Sequence, residues 1–129
     1  MPVTHVKSHL QIPECEGDVL VVKDLHFSYP DGHHALHGVS LNLCSGDKVA
    51  LVGPKGAGKS TLMLHLNGIL GGHGEVEIAG QRLTHDNLPA IRAMVGLVFQ
   101  NPDDQLFSPT VFEDVAFGPL HMGLPEADV

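Results

Sequence analysis

Eight consecutive residues, Gly53-Pro54-Lys55-Gly56-Ala57-Gly58-Lys59-Ser60, satisfy the pattern G-x-x-x-x-G-K-[ST], and Thr61 follows them. The chemistry such a run supports is the holding of phosphate. Glycines at 53, 56 and 58 let the chain curl so that successive backbone N–H groups point inward at anionic oxygens. Lys59 supplies a mobile positive charge for the outer phosphates, and the Ser60 hydroxyl is suited to Mg²⁺. A helix opening at the end of the run adds the partial positive charge of its N-terminus. Four specified positions arise by composition alone about one time in a hundred or less in a chain this long.

A loop of this kind needs a strand before it and a helix after it. Lys48-Val49-Ala50-Leu51-Val52 reads as a short, continuously apolar strand, the pattern of a buried parallel sheet. Behind the loop, Leu62, Met63, Leu66, Ile69 and Leu70 fall near helical spacing, which predicts a helix over 60–70 stopped by Gly71-Gly72. Upstream, residues 19–27 read as a strand and Ser28-Tyr29-Pro30-Asp31-Gly32 as a turn. Residues 35–43 then alternate apolar and polar, so the two strands should form an antiparallel pair before a second turn at Ser45-Gly46-Asp47.

Downstream, residues 75–78 form a strand candidate ending at Ala79-Gly80, and a helix is expected around 87–93. A second buried strand is expected over Val95-Gly96-Leu97-Val98-Phe99, broken by the polar run 100–104. A short helix over 110–117 should close at Gly118-Pro119. Residues 1–17 read as a loose leader, which leaves 18–129 as the folded part. The expected class is α/β, with an antiparallel β subdomain beside a partial parallel sheet.

Bulk properties narrow the function. With 129 residues, 43% hydrophobic and 17% charged, the chain suits one small folded domain. A net charge of -8 argues against a nucleic-acid partner, which calls for a basic face. Apolar runs such as Val19-Leu20-Val21-Val22 are far short of a membrane span and nothing reads as a targeting signal, so any membrane association goes through a partner. Cys15 and Cys44 make no disulfide framework and suit a reducing compartment.

Other residues carry two readings. Of the ten histidines, His33, His34 and His37 fall in a turn and a half-exposed strand without a cysteine or carboxylate set to complete a metal site, and read as surface residues. Asp103-Asp104 reads as loop. Tyr29, the only tyrosine in a chain without tryptophan, is either a rim aromatic or a stacking surface. Gln100 is either a solvated strand terminus or a site residue. The residues alone leave both open.

Three stretches resemble the ABC transporter ATPases. Leu25-His26-Phe27-Ser28-Tyr29-Pro30-Asp31-Gly32 looks like that family's aromatic loop. Residues 45–53 match the lead into its phosphate loop (the Walker A motif). Val95-Gly96-Leu97-Val98-Phe99-Gln100-Asn101-Pro102-Asp103-Asp104-Gln105-Leu106-Phe107 is similar to the glutamine loop of the energy-coupling-factor and cobalt/nickel importer branch, as is the run 110–119. The likeness covers about residues 19–125.

The resemblance implies a P-loop NTPase of the ABC nucleotide-binding type that binds ATP and Mg²⁺. Tyr29 would stack on adenine, a task open to any flat aromatic, while Gly53, Pro54, Lys55, Gly56, Ala57, Gly58, Lys59, Ser60 and Thr61 would hold phosphate. Ser60 and Gln100 would attend Mg²⁺, and Gln100 also the attacking water. The implied partners are a second ATPase subunit in a dimer and integral membrane transport components, with no nucleic acid. The implied location is the cytoplasmic face of the cell membrane, reached through those partners.

Parts of the family pattern are not among these residues. There is no Leu-Ser-Gly-Gly-Gln-like signature, since Leu70-Gly71-Gly72-His73-Gly74 is a helix stop in the wrong place. Nor is there an apolar strand ending in Asp-Glu, because Leu20-Val21-Val22-Lys23-Asp24 lies upstream of the loop and is interrupted by Lys23. His121 lies before the region where a switch histidine belongs. The expectation is therefore the N-terminal part of an ABC ATPase domain, the energising component of an importer for a metal ion or vitamin-like solute, inactive in isolation. The alternatives are a nucleotide-binding module without turnover and, less in keeping with the leading antiparallel pair, a small P-loop kinase.

Overall fold

Pro30 and Gly32 set the first tight turn. Pro30 presets its own φ, and Gly32 takes φ 87°, which a side chain disfavours. The Gly32 N–H donates to the Tyr29 carbonyl and the Tyr29 N–H to the His33 carbonyl, both at 2.9 Å. Five residues, 29–33, thus join β1 (Asp18–Ser28) to β2 (His34–Cys44). The structure, a computed structural model, describes residues 17–129. The expected leader lies outside the described residues except for Gly17. The described residues form two compact units, one reaching to Val95 and one from Gly96 to Val129.

In the first unit, β1 pairs with β2 on one side and with β3 (His73–Ile78) on the other, and β3 pairs with β4 (Gln81–Arg82). The order is β2-β1-β3-β4, antiparallel at each pairing. Ala79 and Gly80, at φ 47° and 75°, make the two-residue turn between β3 and β4. Near Asp24 the register of β1 shifts against both neighbours, and the Ser40 hydroxyl accepts the Asp24 N–H at 2.9 Å. This bulge bends β1 along its length.

Leu20, Val22 and Leu25 of β1, with Leu36 of β2 and Val76 and Ile78 of β3, bury one face of the sheet. Leu62 of α1 (Lys59–Leu66) and Ile91 of α2 (Leu88–Met94) belong to the same cluster. α1 ends earlier than its apolar spacing suggests. Gly68 takes φ 71° and its N–H returns to the His65 carbonyl at 3.2 Å, so Asn67 and Gly68, rather than Gly71-Gly72, end the helix. Arg92 of α2 then donates to the Asn67 and Gly68 carbonyls at 3.2 Å, placing a cation at that terminus.

Three expectations are corrected. Residues 48–52 form no strand, and Val49 and Val52 are 64% and 89% exposed. A continuously apolar run becomes a buried strand only between two pairing neighbours, and among the described residues nothing pairs with it. Residues 95–99 likewise form no strand. The parallel half of the expected sheet is therefore not formed among the described residues. Finally, α3 (Val111–His121) passes through Gly118-Pro119 and stops at Gly123, whose φ is 80°. Pro119 cannot donate to the Val115 carbonyl, but Val115 is exposed, so the helix there is open to solvent.

Cys44 departs from the reduced-thiol expectation. It is disulfide-bonded.

Candidate phosphate-binding site

The phosphate loop runs from exposed Gly53 into α1. Within it the Ala57 N–H donates to the Pro54 carbonyl at 3.2 Å, and Gly56 and Gly58 take φ 83° and 90°. Gly58 is the N-cap of α1, and its carbonyl accepts from the Leu62 N–H at 2.9 Å. Lys59 curls back over the loop, its Nζ donating to the Gly53 carbonyl at 2.6 Å and the Pro54 carbonyl at 2.7 Å. Both acceptors are neutral dipoles, so phosphate oxygens with full charge would make stronger partners for the same ammonium. Pro54, Lys55, Ala57 and Ser60 are exposed. The residues present fit a bound polyphosphate.

Tyr29 reaches the same loop from the sheet. Its hydroxyl lies 2.9 Å from the Thr61 Oγ1, across 32 positions of sequence, and Thr61 is buried. The edge of one ring meets the other between Phe27 and Tyr29, with centroids 5.0 Å apart, and the His33 ring lies roughly parallel to Tyr29 at 6.3 Å. The aromatic side chain and the end of the phosphate loop, separate in sequence, are thus brought side by side.

Gln100 belongs to the second unit, where it is exposed. The residue doing structural work there is Gln105. Its amide donates to the Leu97 carbonyl at 2.8 Å and accepts from the Phe99 N–H at 2.9 Å, standing in for a strand neighbour. Asn101 accepts from the Asp103 N–H at 3.2 Å, which caps the short 3-10 turn Pro102–Asp104. No spacing rule separates Gln105 from Gln100 in this polar stretch, so nothing local singles it out.

Thr110 caps α3, accepting from the Glu113 N–H at 3.2 Å. The Asp114 carboxyl is held below the usual carboxylate range. Desolvation pushes it up, but hydrogen bonds from the Ser108 side chain and the Ser108 and Phe107 N–H groups more than offset that. His121 donates from Nδ1 to the Phe117 carbonyl at 2.9 Å, at the end of the helix. Among the described residues no group of three or more His, Cys, Asp or Glu is arranged to hold a metal ion.

A Gly-Lys-Ser loop feeding a helix, laid against an antiparallel sheet that contributes an aromatic ring, defines a P-loop nucleotide-binding domain. The ABC transporter family profile matches residues 36–127, and the chain belongs to that family. It is similar to the energy-coupling factor transporter ATP-binding protein EcfA of Methanothermobacter thermautotrophicus, 59% identical over 114 residues, covering 86% of this chain and 37% of that protein. EcfA of Methanocaldococcus jannaschii is 55% identical over 114 residues, covering 86% and 41%. Among solved structures, cbiO1 from Clostridium perfringens, described as part of the ABC transporter complex cbiONQ, superposes with a TM-score of 0.73 at 40% identity, covering 88% of this chain and 46% of that one. The chain thus spans roughly two fifths of the length of the curated relatives it matches.

Proposed function

We propose that residues 18–129 are the N-terminal, nucleotide-holding part of the ATP-binding component of an ABC importer. The observation that carries this reading is Lys59, an ammonium resting on the Gly53 and Pro54 carbonyls at the opening of a helix. In it, residues 53–61 hold the phosphates, Ser60 meets Mg²⁺, and the Tyr29 ring takes the adenine face. Gln100 contributes to Mg²⁺ and to orienting water. ATP with Mg²⁺ supplies a phosphoanhydride whose cleavage drives transport. This chain's residues bind and orient it by charge and by backbone geometry.

The solute is a metal ion or a vitamin-like molecule, as the resemblance of residues 95–107 and 110–119 to the energy-coupling-factor and cobalt/nickel importer branch implies. The partners are a second ATPase subunit and integral membrane components. The protein then sits on the cytoplasmic face of the membrane through them, in keeping with the absence, among the described residues, of any helix long and apolar enough to cross a bilayer. Calorimetric titration of the chain with ATP, with and without Mg²⁺, tests the nucleotide assignment. Saturable binding strengthened by Mg²⁺ is expected, and no binding in either condition overturns it.

A further inference from the structure

Tyr29 leaves the end of β1 beside a tight turn, where a side chain has little to restrain it, yet its ring is held from two sides. Its hydroxyl meets the Thr61 Oγ1 at 2.9 Å, and the Phe27 ring meets it edge-on with planes at 82°. Phe27 in turn packs edge-on against His65, with centroids 4.7 Å apart. His65 closes the circuit, because its Nδ1 lies 2.7 Å from the Thr61 carbonyl. A carbonyl only accepts, so Nδ1 carries a hydrogen and donates to it.

Four residues therefore form a ring, two at the end of β1 and two one turn apart on α1. His65 is 2% exposed and its Nε2 is buried without a partner. A buried polar nitrogen without a partner is destabilising, so packing alone would favour an apolar side chain there. Thr61 follows Ser60 in the first turn of α1, so the circuit fixes the Tyr29 ring at a set distance from the phosphate loop.

We propose that Thr61 is a positioning residue for the base platform: its hydroxyl pins the Tyr29 phenol, so that base affinity depends on the Tyr29 hydroxyl as well as on its ring. This rests on the reading of Tyr29 as the adenine platform. It revises the expectation that any flat aromatic serves equally at position 29.

The test measures the affinity of the full chain for ATP and for inorganic tripolyphosphate, each with Mg²⁺, in Tyr29→Phe, Thr61→Val, the double variant, Thr61→Ser and Tyr29→Ala. Tyr29→Phe and Thr61→Val should each weaken ATP roughly three- to tenfold, the size of one net hydrogen bond. The double variant should lose no more than either, because both remove the same bond. Tripolyphosphate binding should not change in the Tyr29 variants and should fall less than ATP binding in Thr61→Val, and Thr61→Ser should keep wild-type affinity. Because the chain has one tyrosine and no tryptophan, its tyrosine emission reports Tyr29 alone, and Thr61→Val should lower the anisotropy of that emission.

Equal loss of ATP and tripolyphosphate in Thr61→Val would assign the hydroxyl to phosphate and overturn the proposal. Wild-type ATP affinity in Tyr29→Phe, or additive losses in the double variant, would overturn it as well while leaving the platform intact. Undiminished ATP affinity in Tyr29→Ala would instead remove the platform reading, and the pinning role with it.

Discussion

Gly58 and Ala35 touch: a Cβ built on Gly58 would lie 2.5 Å from the Ala35 carbonyl oxygen. Gly58 also takes φ 90°, a conformation that side chains resist. The last glycine of the phosphate loop is thus pressed against β2, and that contact registers the loop against the hairpin carrying Tyr29. Gly58→Ala meets both the clash and the unfavourable φ. It should destabilise the chain by on the order of 1–3 kcal/mol and weaken nucleotide binding. Chemical denaturation of the variant beside wild type checks this, and an unchanged midpoint would show that the loop is not held by β2.

Lys59→Ala removes the ammonium that bridges the Gly53 and Pro54 carbonyls. A charge-assisted contact of this kind is worth about 1.5–3 kcal/mol, so ATP affinity should fall by that amount. Calorimetry that gives the same affinity for the variant and wild type would refute the assignment of the loop.

Gln105→Leu removes the amide that bonds residues 97 and 99. The Phe99 N–H should lose protection against hydrogen exchange by about 1 kcal/mol or more, the net worth of a hydrogen bond. Retained protection at Phe99 would mean that something other than Gln105 holds the segment.

The loop before α3 should depend on acid. A carboxyl held below its ordinary range contributes stability that is fully present above that range and is lost as pH falls through the lowered value. Asp114 is such a group, by virtue of its bonds from Ser108 and Phe107. The Ser108 amide resonance should therefore titrate with a midpoint below that of an ordinary aspartate, and Asp114→Asn should abolish the transition. A midpoint in the ordinary range contradicts the role given to these bonds.

The chain by itself should release no phosphate from ATP in sustained fashion. Phosphoryl transfer needs positioning and charge from several segments, and these residues include neither the Asp-Glu strand nor the signature stretch. Exposed Val49 and Val52 add an expectation of self-association, since apolar surface beside unpaired backbone is prone to it. Turnover that Lys59→Ala abolishes would show the other segments to be dispensable.

Much of this molecule follows from rules that act over a few residues. Pro30 and Gly32 specify a turn, Ala79-Gly80 closes β3, and the alternation from Ala35 onward makes a strand, because each depends on local φ preference or on a two-residue period. The phosphate loop was legible for the same reason: its glycines, lysine and serine work through their immediate backbone. Tertiary structure decided the rest. No local signal joins Tyr29 to Thr61 across 32 positions, or presses Gly58 on Ala35. Nor does periodicity tell whether an apolar run will find pairing neighbours. Residues 48–52 and 95–99 have the composition of buried strands, yet among the described residues they pair with none, because strand formation requires hydrogen-bonding partners that an apolar run cannot supply for itself.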